Sequence, residues 1–212
     1  MNKRWHERWF KFMLENENKH SRFWKRISIN PNLTLDLIND NPDKPWVWQY
    51  FSSNPNLTMS FINDNPDKPW LWGAITGNNK GITMKDIYDN PDKPWVWEDI
   101  SKNPNLKMKD ILDNPDKPWN WYDISKNEGI TLKDILDNPD KPWDWQCVSR
   151  NPAITMKNIY DNPDEPWDWE YISGNPNLKI DFINEHINYY WDWEEIFSNE
   201  FIKKKEEFIK KI

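Results

Sequence analysis

The chain has 212 residues and a mean hydropathy of −1.03, and 30% of its residues are charged. No segment approaches the roughly 18 consecutive apolar residues of a membrane-spanning helix, and the single cysteine, Cys147, excludes an intramolecular disulfide framework. Seventeen tryptophans argue against disorder, since disordered chains are poor in aromatic residues.

The net charge of −7 is unevenly distributed along the chain. Residues 1–26 carry a net charge of +5 and residues 201–212 a net charge of +3, which leaves −15 for residues 27–200. Nucleic-acid binding requires a basic surface that attracts phosphates. The charge distribution therefore excludes duplex DNA or RNA as an expected partner of the central region.

The N-terminal segment, residues 1–29, is predicted to be a capping helix followed by half a repeat. Trp5 and Trp9 are four residues apart and Met13 follows at the same spacing, which places all three on one face of a helix. Trp24 lies 24 residues before Trp48, so the repeat pattern begins before its first complete copy.

Residues 30–198 contain a tandem repeat, marked by the second tryptophan of each Trp-x-Trp pair. These residues are Trp48, Trp72, Trp97, Trp121, Trp145, Trp169 and Trp193. Seven copies of about 24 residues predict an all-α fold, an α-solenoid or superhelix in which each repeat contributes two short helices. The one extra residue lies in 77–81, where two glycines predict a bulged turn.

The first helix of each repeat has the sequence features of a capped helix. A threonine stands at the N-cap position in five repeats, and Lys107 and Lys179 replace it in the other two. The residue before the cap is Leu or Ile, and an isoleucine follows four residues after the cap, which indicates a hydrophobic staple. An apolar residue at the first helical position, such as Met156 or Ile180, is predicted to complete the buried face.

The second helix is predicted to begin at Asp-Lys-Pro-Trp, with Asp as its cap and Pro in its first turn. Trp121 lies three residues before Ile124 and shares its face, which predicts that the second tryptophan of each pair is in the core. The first tryptophan, such as Trp119, is expected nearer the preceding turn. Residues 199–212 are predicted to form an amphipathic C-terminal capping helix, with Phe201, Phe208 and Ile212 on one side.

The alternation Asn-Pro-Asn-Leu-Thr and Asp-Asn-Pro-Asp-Lys-Pro-Trp resembles the Trp-rich tandem repeats of uncharacterised proteins from giant DNA viruses of amoebae. The resemblance covers residues 22–198, and Glu165 and the loop 186–190 depart from it. The 24-residue period is also similar to leucine-rich-variant repeats, which combine α- and 3₁₀-helices in a superhelix. The viral resemblance implies a viral source and assigns no activity. With no secretion signal at the N-terminus, we expect an intracellular location, in the host cytoplasm or in the virion.

These features predict a non-enzymatic scaffold that binds a protein partner or has a structural role. The sequence offers no catalytic set, no cofactor motif and no metal-ligand spacing. The alternative is an aromatic track that binds an extended ligand such as a proline-rich peptide, a glycan or single-stranded nucleic acid. Its candidate residues are the first tryptophans of the pairs, Trp46, Trp70, Trp95, Trp119, Trp143, Trp167 and Trp191. The competing interpretation is that each indole seals its own Asn-Pro-Asp-Lys-Pro turn.

Overall fold

The computed structural model of the protein describes residues 3–78 and 80–199. Within these ranges the regular elements are all helices, and none of them is long and apolar enough to cross a membrane. The chain divides into two compact units, Met1–Asn105 and Leu106–Ile212. Each unit is a series of short paired helices, so the predicted all-α, solenoid-like repeat is confirmed.

The first unit begins with one longer helix and continues with short ones. Its helices are α1 (Lys3–Glu15), a 3₁₀ turn (Glu17–Lys19), α2 (Phe23–Ser28), α3 (Leu35–Asn39), α4 (Trp48–Phe51), α5 (Met59–Asp64), α6 (Trp72–Asn78), α7 (Met84–Asp89) and α8 (Trp97–Ile100).

The second unit repeats the same alternation of first and second helices. Its helices are α9 (Met108–Leu112), α10 (Trp121–Ser125), α11 (Leu132–Leu136), α12 (Trp145–Arg150), α13 (Met156–Asp161), α14 (Trp169–Ser173), α15 (Ile180–Glu185) and α16 (Trp193–Ser198).

The first helices begin where the threonine caps predict. In each of the five repeats that have threonine, its hydroxyl accepts a hydrogen bond from the backbone N–H three residues later, at 3.3 Å. At α9 the cap position is Lys107, and the carboxylate of Asp110 accepts from its backbone N–H at 2.9 Å. The residues of the predicted staple are buried throughout, but Ile180 is 43% exposed, contrary to the predicted buried face.

The second helices begin later than predicted, at the second tryptophan of each pair. The Asp-Lys-Pro segment forms a separate turn, and the residue between the two tryptophans becomes the N-cap. In α12, for example, the side chain of Asp144 accepts a hydrogen bond from the N–H of Cys147 at 2.9 Å. The helices are one to two turns long and are stabilised mainly by packing, because helices this short are unstable alone.

Packing between repeats joins second helices to second helices. In the first unit α2 contacts α4 and α6 contacts α8, and in the second unit α12 contacts both α10 and α14. The residue three positions after the second tryptophan is fully buried in most repeats, as for Ile124 and Val148. The core is therefore a column of aliphatic side chains with aromatic rings beside it.

Helix α1 covers the N-terminal end of the first unit through Phe10, and not through the predicted face of Trp5, Trp9 and Met13. Phe10 is its buried side chain and stacks on Trp46 with ring centroids 5.8 Å apart. Trp5 and Trp9 stack on each other, and Trp5 is 42% exposed. The predicted C-terminal cap lies outside the described residues from residue 200 onward.

The third repeat has one residue more than the others, in the segment 77–81. Helix α6 extends into this segment and ends at Asn78. Gly77 lies against the next repeat, since a Cβ there would be 2.9 Å from the backbone oxygen of Asp99. The glycine is needed for this close approach of two backbones.

Candidate interaction surface

The first tryptophan of each pair folds back over its own turn. The backbone N–H of Trp143 donates to the carbonyl of Lys141 at 2.8 Å, which closes a three-residue turn around Pro142. Its indole Nε1–H donates to the carbonyl of Asn138, also at 2.8 Å. The equivalent indole bond, at 2.7–2.9 Å, is made by Trp46, Trp70, Trp95, Trp119, Trp167 and Trp191.

The last repeat keeps this geometry without the two prolines. Trp191 donates its backbone N–H to Tyr189 and its indole N–H to His186, both at 2.9 Å. Tyr189 also stacks on Trp169 of the preceding repeat, with ring centroids 3.9 Å apart. The hydrogen bonds therefore define the turn, and proline only restricts its backbone.

Six of the seven first tryptophans also meet the second tryptophan of the preceding repeat, or Trp24 of the N-terminal half repeat, edge to face. The ring centroids lie 5.1–5.4 Å apart in the pairs Trp24–Trp46, Trp48–Trp70, Trp72–Trp95, Trp121–Trp143, Trp145–Trp167 and Trp169–Trp191. Such a geometry contributes about 0.5–1.5 kcal/mol beyond burial of the rings.

The burial of the two series differs from the sequence prediction. Trp46, Trp167 and Trp191 are buried first tryptophans, with 7%, 9% and 7% exposure. The second tryptophans are half-buried, as is Trp121, and Trp193 is 46% exposed. The other first tryptophans are half-buried as well, namely Trp70, Trp95, Trp119 and Trp143. The prediction that the second tryptophan is the core residue is therefore wrong: no second tryptophan in the described residues is buried, and in three repeats the first one is.

Buried polar side chains form a ladder of hydrogen bonds between neighbouring repeats, which was not predicted from the sequence. The Asn151 amide donates to the carbonyls of Ser125 and Asn127 in the preceding repeat, at 2.9 and 3.0 Å. The hydroxyl of Ser149 accepts from the N–H of Asp168 at 2.9 Å. The signal was the recurrence of serine or threonine two positions before the asparagine at which each repeat begins.

The outer face of the first helices carries exposed apolar side chains in the second unit. Leu112, Leu136 and Tyr160 occupy the same repeat position and are 48%, 38% and 68% exposed. We call these three residues the outer stripe. In the first unit, Tyr88 holds this position and is 44% exposed.

Exposed ion pairs flank each residue of the outer stripe. Lys109 pairs with Asp113, Lys133 with Asp137, and Lys157 with Asp161, each one helical turn apart. The hydrogen bond to Asp113 raises the pKa of Lys109 above its usual range, and the one to Asp137 does the same for Lys133. Exposed pairs of this kind contribute little stability, but they leave the stripe locally uncharged.

A surface groove of about 410 Å³ opens beside Leu112. Its lining includes Trp119 and Trp121, and Lys141 from the next repeat. Of these two tryptophans, Trp119 belongs to the predicted ligand track, and Trp121 is the second tryptophan of the same pair. It adjoins the outer stripe, so both apolar features belong to one surface of the second unit.

The cysteine of the chain is buried in α12. Cys147 is 6% exposed, and burial raises the pKa of its thiol. Among the described residues, no group of three or more His, Cys, Asp or Glu side chains is arranged to hold a metal ion.

The fold and this surface define a helical repeat protein with an exposed apolar stripe. The chain matches no family model, no curated protein sequence and no solved structure.

Proposed function

We propose that the protein is a non-enzymatic repeat scaffold that binds another protein through the outer stripe of its second unit. The observation that carries the proposal is the exposure of Leu112, Leu136 and Tyr160 at one repeated position. Contiguous exposed apolar side chains mark interaction sites in proteins. In this proposal the chain is one of the giant-virus proteins that its motif resembles and acts inside the infected cell, and the support for this source is the motif alone.

The geometry of the first tryptophans favours the scaffold over an aromatic track. An aromatic track stacks its ligand on open ring faces. Here the indole N–H of Trp143 is already bonded to Asn138, and its ring meets Trp121 edge to face. A ligand would compete with these contacts, which join neighbouring repeats.

Cross-linking in the cells that express the protein tests the scaffold. We expect a lysine-reactive reagent to join a partner protein to Lys109, Lys133 or Lys157, the lysines beside the outer stripe. Cross-links confined to lysines outside the stripe would contradict the proposal.

A second experiment tests the aromatic track directly. Titration with a proline-rich peptide, a chitin oligosaccharide and an oligothymidylate, followed by tryptophan fluorescence, should give no saturable change. Saturable binding that is lost in Trp143→Phe would favour the track over the scaffold.

A further inference from the structure

The outer stripe is not required by the fold of the repeat. The repeats with helices α3, α5 and α15 have Asn39, Asn63 and Asn184 at this position, all exposed. The isoleucine before each asparagine is as buried as in the other repeats; Ile62, for example, is 1% exposed. The same fold therefore accepts a polar residue here, so the apolar side chains serve another purpose.

In the first helices, lysine occurs only in repeats that have an exposed leucine or tyrosine at the position of the outer stripe. Repeats with an exposed tyrosine or leucine at this position also have lysine three residues earlier, as in Lys133 before Leu136. The repeats with asparagine have Asp36, Ser60 and Asp181 instead. The stripe position and the position three residues earlier therefore change together from repeat to repeat, which indicates that they belong to one functional surface.

A second copy of this chain fits the stripe poorly as its partner. The described part of the second unit has nine Lys and Arg against nineteen Asp and Glu, a net charge of −10. Two such units repel each other outside the neutral stripe.

The same charge favours a basic partner. We propose, on the basis of the scaffold function above, that the outer stripe binds a basic amphipathic helix from another protein. Packed helices lie about 8–10 Å apart, and seven residues of a helix span about 10.5 Å. A helix that crosses the repeats therefore places one apolar residue on each of Leu112, Leu136 and Tyr160 if those residues are seven apart. The net charge of −10 over the described part of the second unit attracts the lysines and arginines of such a helix.

A designed peptide tests this inference. The probe is a fluorescein-labelled peptide of about 21 residues, three heptads with one leucine in each and lysine on the polar face. Its matched control replaces every lysine with glutamate. Fluorescence anisotropy with the full chain should show binding of the basic peptide that weakens as salt is raised, and no binding of the acidic one.

The stripe is tested with residues that the repeat already accepts. The triple variant Leu112→Asn, Leu136→Asn and Tyr160→Asn should bind the basic peptide about ten-fold or more weakly, since each contact loses apolar area. Ile187→Asn, a control at a residue that is 50% exposed in a loop of the last repeat, should leave binding unchanged. If the triple variant melts early, Tyr160→Asn alone, at the most exposed position, takes its place.

Several results would overturn the inference. These are absence of binding by the basic peptide, equal binding of the acidic one, and equal binding by the triple variant. Self-association that the triple variant abolishes would identify a second copy as the occupant. Tighter peptide binding by Phe208→Asn would identify residues 201–212 of this chain as the occupant. If the peptide fails while partner cross-links at the stripe lysines remain, the scaffold function stands and only the chemistry of the partner is wrong.

Discussion

Trp167 combines burial of its ring with a hydrogen bond and a ring contact. Its ring is 9% exposed, its indole N–H donates to the carbonyl of Asn162 at 2.7 Å, and it meets Trp145 edge to face at 5.2 Å. The indole thus closes its own turn and joins it to the preceding repeat. Trp145 is half-buried and contributes mainly ring contact.

We expect Trp167→Ala to destabilise the protein more than Trp145→Ala. Loss of the buried ring should cost about 3–5 kcal/mol, and loss of the indole hydrogen bond to the Asn162 carbonyl adds to this. Trp145→Ala should cost about 1–3 kcal/mol, because less apolar area leaves contact with the protein. Urea unfolding followed by circular dichroism measures the free energy of unfolding of both variants. The opposite ranking would indicate that the second tryptophan is the core residue.

Buried asparagines provide the polar contact between repeats. Asn151 is fully buried, and its side-chain oxygen accepts from the N–H of Ala153 at 2.8 Å in addition to the two bonds of its amide. Every polar atom of this side chain is therefore paired.

Replacement of Asn151 by Ala should cost about 2–4 kcal/mol, since it removes the hydrogen bonds to the Ser125 and Asn127 carbonyls and to the N–H of Ala153. The control is Asn184→Ala, at an exposed asparagine, which should change stability by less than about 0.5 kcal/mol. Thermal unfolding of the two variants makes the comparison. Equal midpoints would mean that water replaces the ladder bonds without loss.

Among the elements, the first helices differ mainly in how their N-termini are capped. Thr131 and Asp134 form a capping box at α11, in which each side chain accepts from the backbone N–H of the other. At α9 the exposed Lys107 makes no side-chain cap, and the N–H of Asp110 donates to the backbone carbonyl of Lys107 instead, at 2.9 Å.

Substitution Lys107→Thr should therefore stabilise the protein by about 0.5–1 kcal/mol. Asp110 already stands where the capping box needs its acidic residue. Lys107→Ala removes the lysine without adding a hydroxyl and should give no such gain. Chemical denaturation distinguishes the two, and an equal effect of both variants would assign any gain to the loss of charge.

Over the whole molecule, stability in a repeat protein comes from each repeat and from its contacts with its neighbours. Helix α14 contacts α12 and α16, and Ile172 lies at its centre with no exposed surface. A defect at this residue should spread only to adjacent repeats.

We expect Ile172→Ala to cost about 2–5 kcal/mol and to lower hydrogen-exchange protection in residues 127–198. Residues 30–53 should keep their protection, because four repeats lie between them and the repeat of α14 along the chain. Mass spectrometry of exchanged peptides measures this, with the exposed Ile187→Ala as the control. Uniform loss of protection over the chain would indicate one cooperative unit.

The period, the helical class and the threonine caps were accessible from the amino-acid sequence. A cap such as Thr155 bonds to Asn158 within its own helix, so the local pattern contains both partners. Seven copies of that pattern then identify the aliphatic positions of the core, except that Ile180 is exposed and Leu35 is only half-buried.

The roles of the tryptophans, the polar ladder and the outer stripe depended on the folded chain. Asn175 reaches a carbonyl 26 residues earlier, and Asp168 donates to a hydroxyl 19 residues earlier. No local pattern reveals such a bond, because its two partners meet only when one repeat packs on the next. The same packing buries one tryptophan of each pair more than the other in some repeats, and it leaves Leu112, Leu136 and Tyr160 facing solvent.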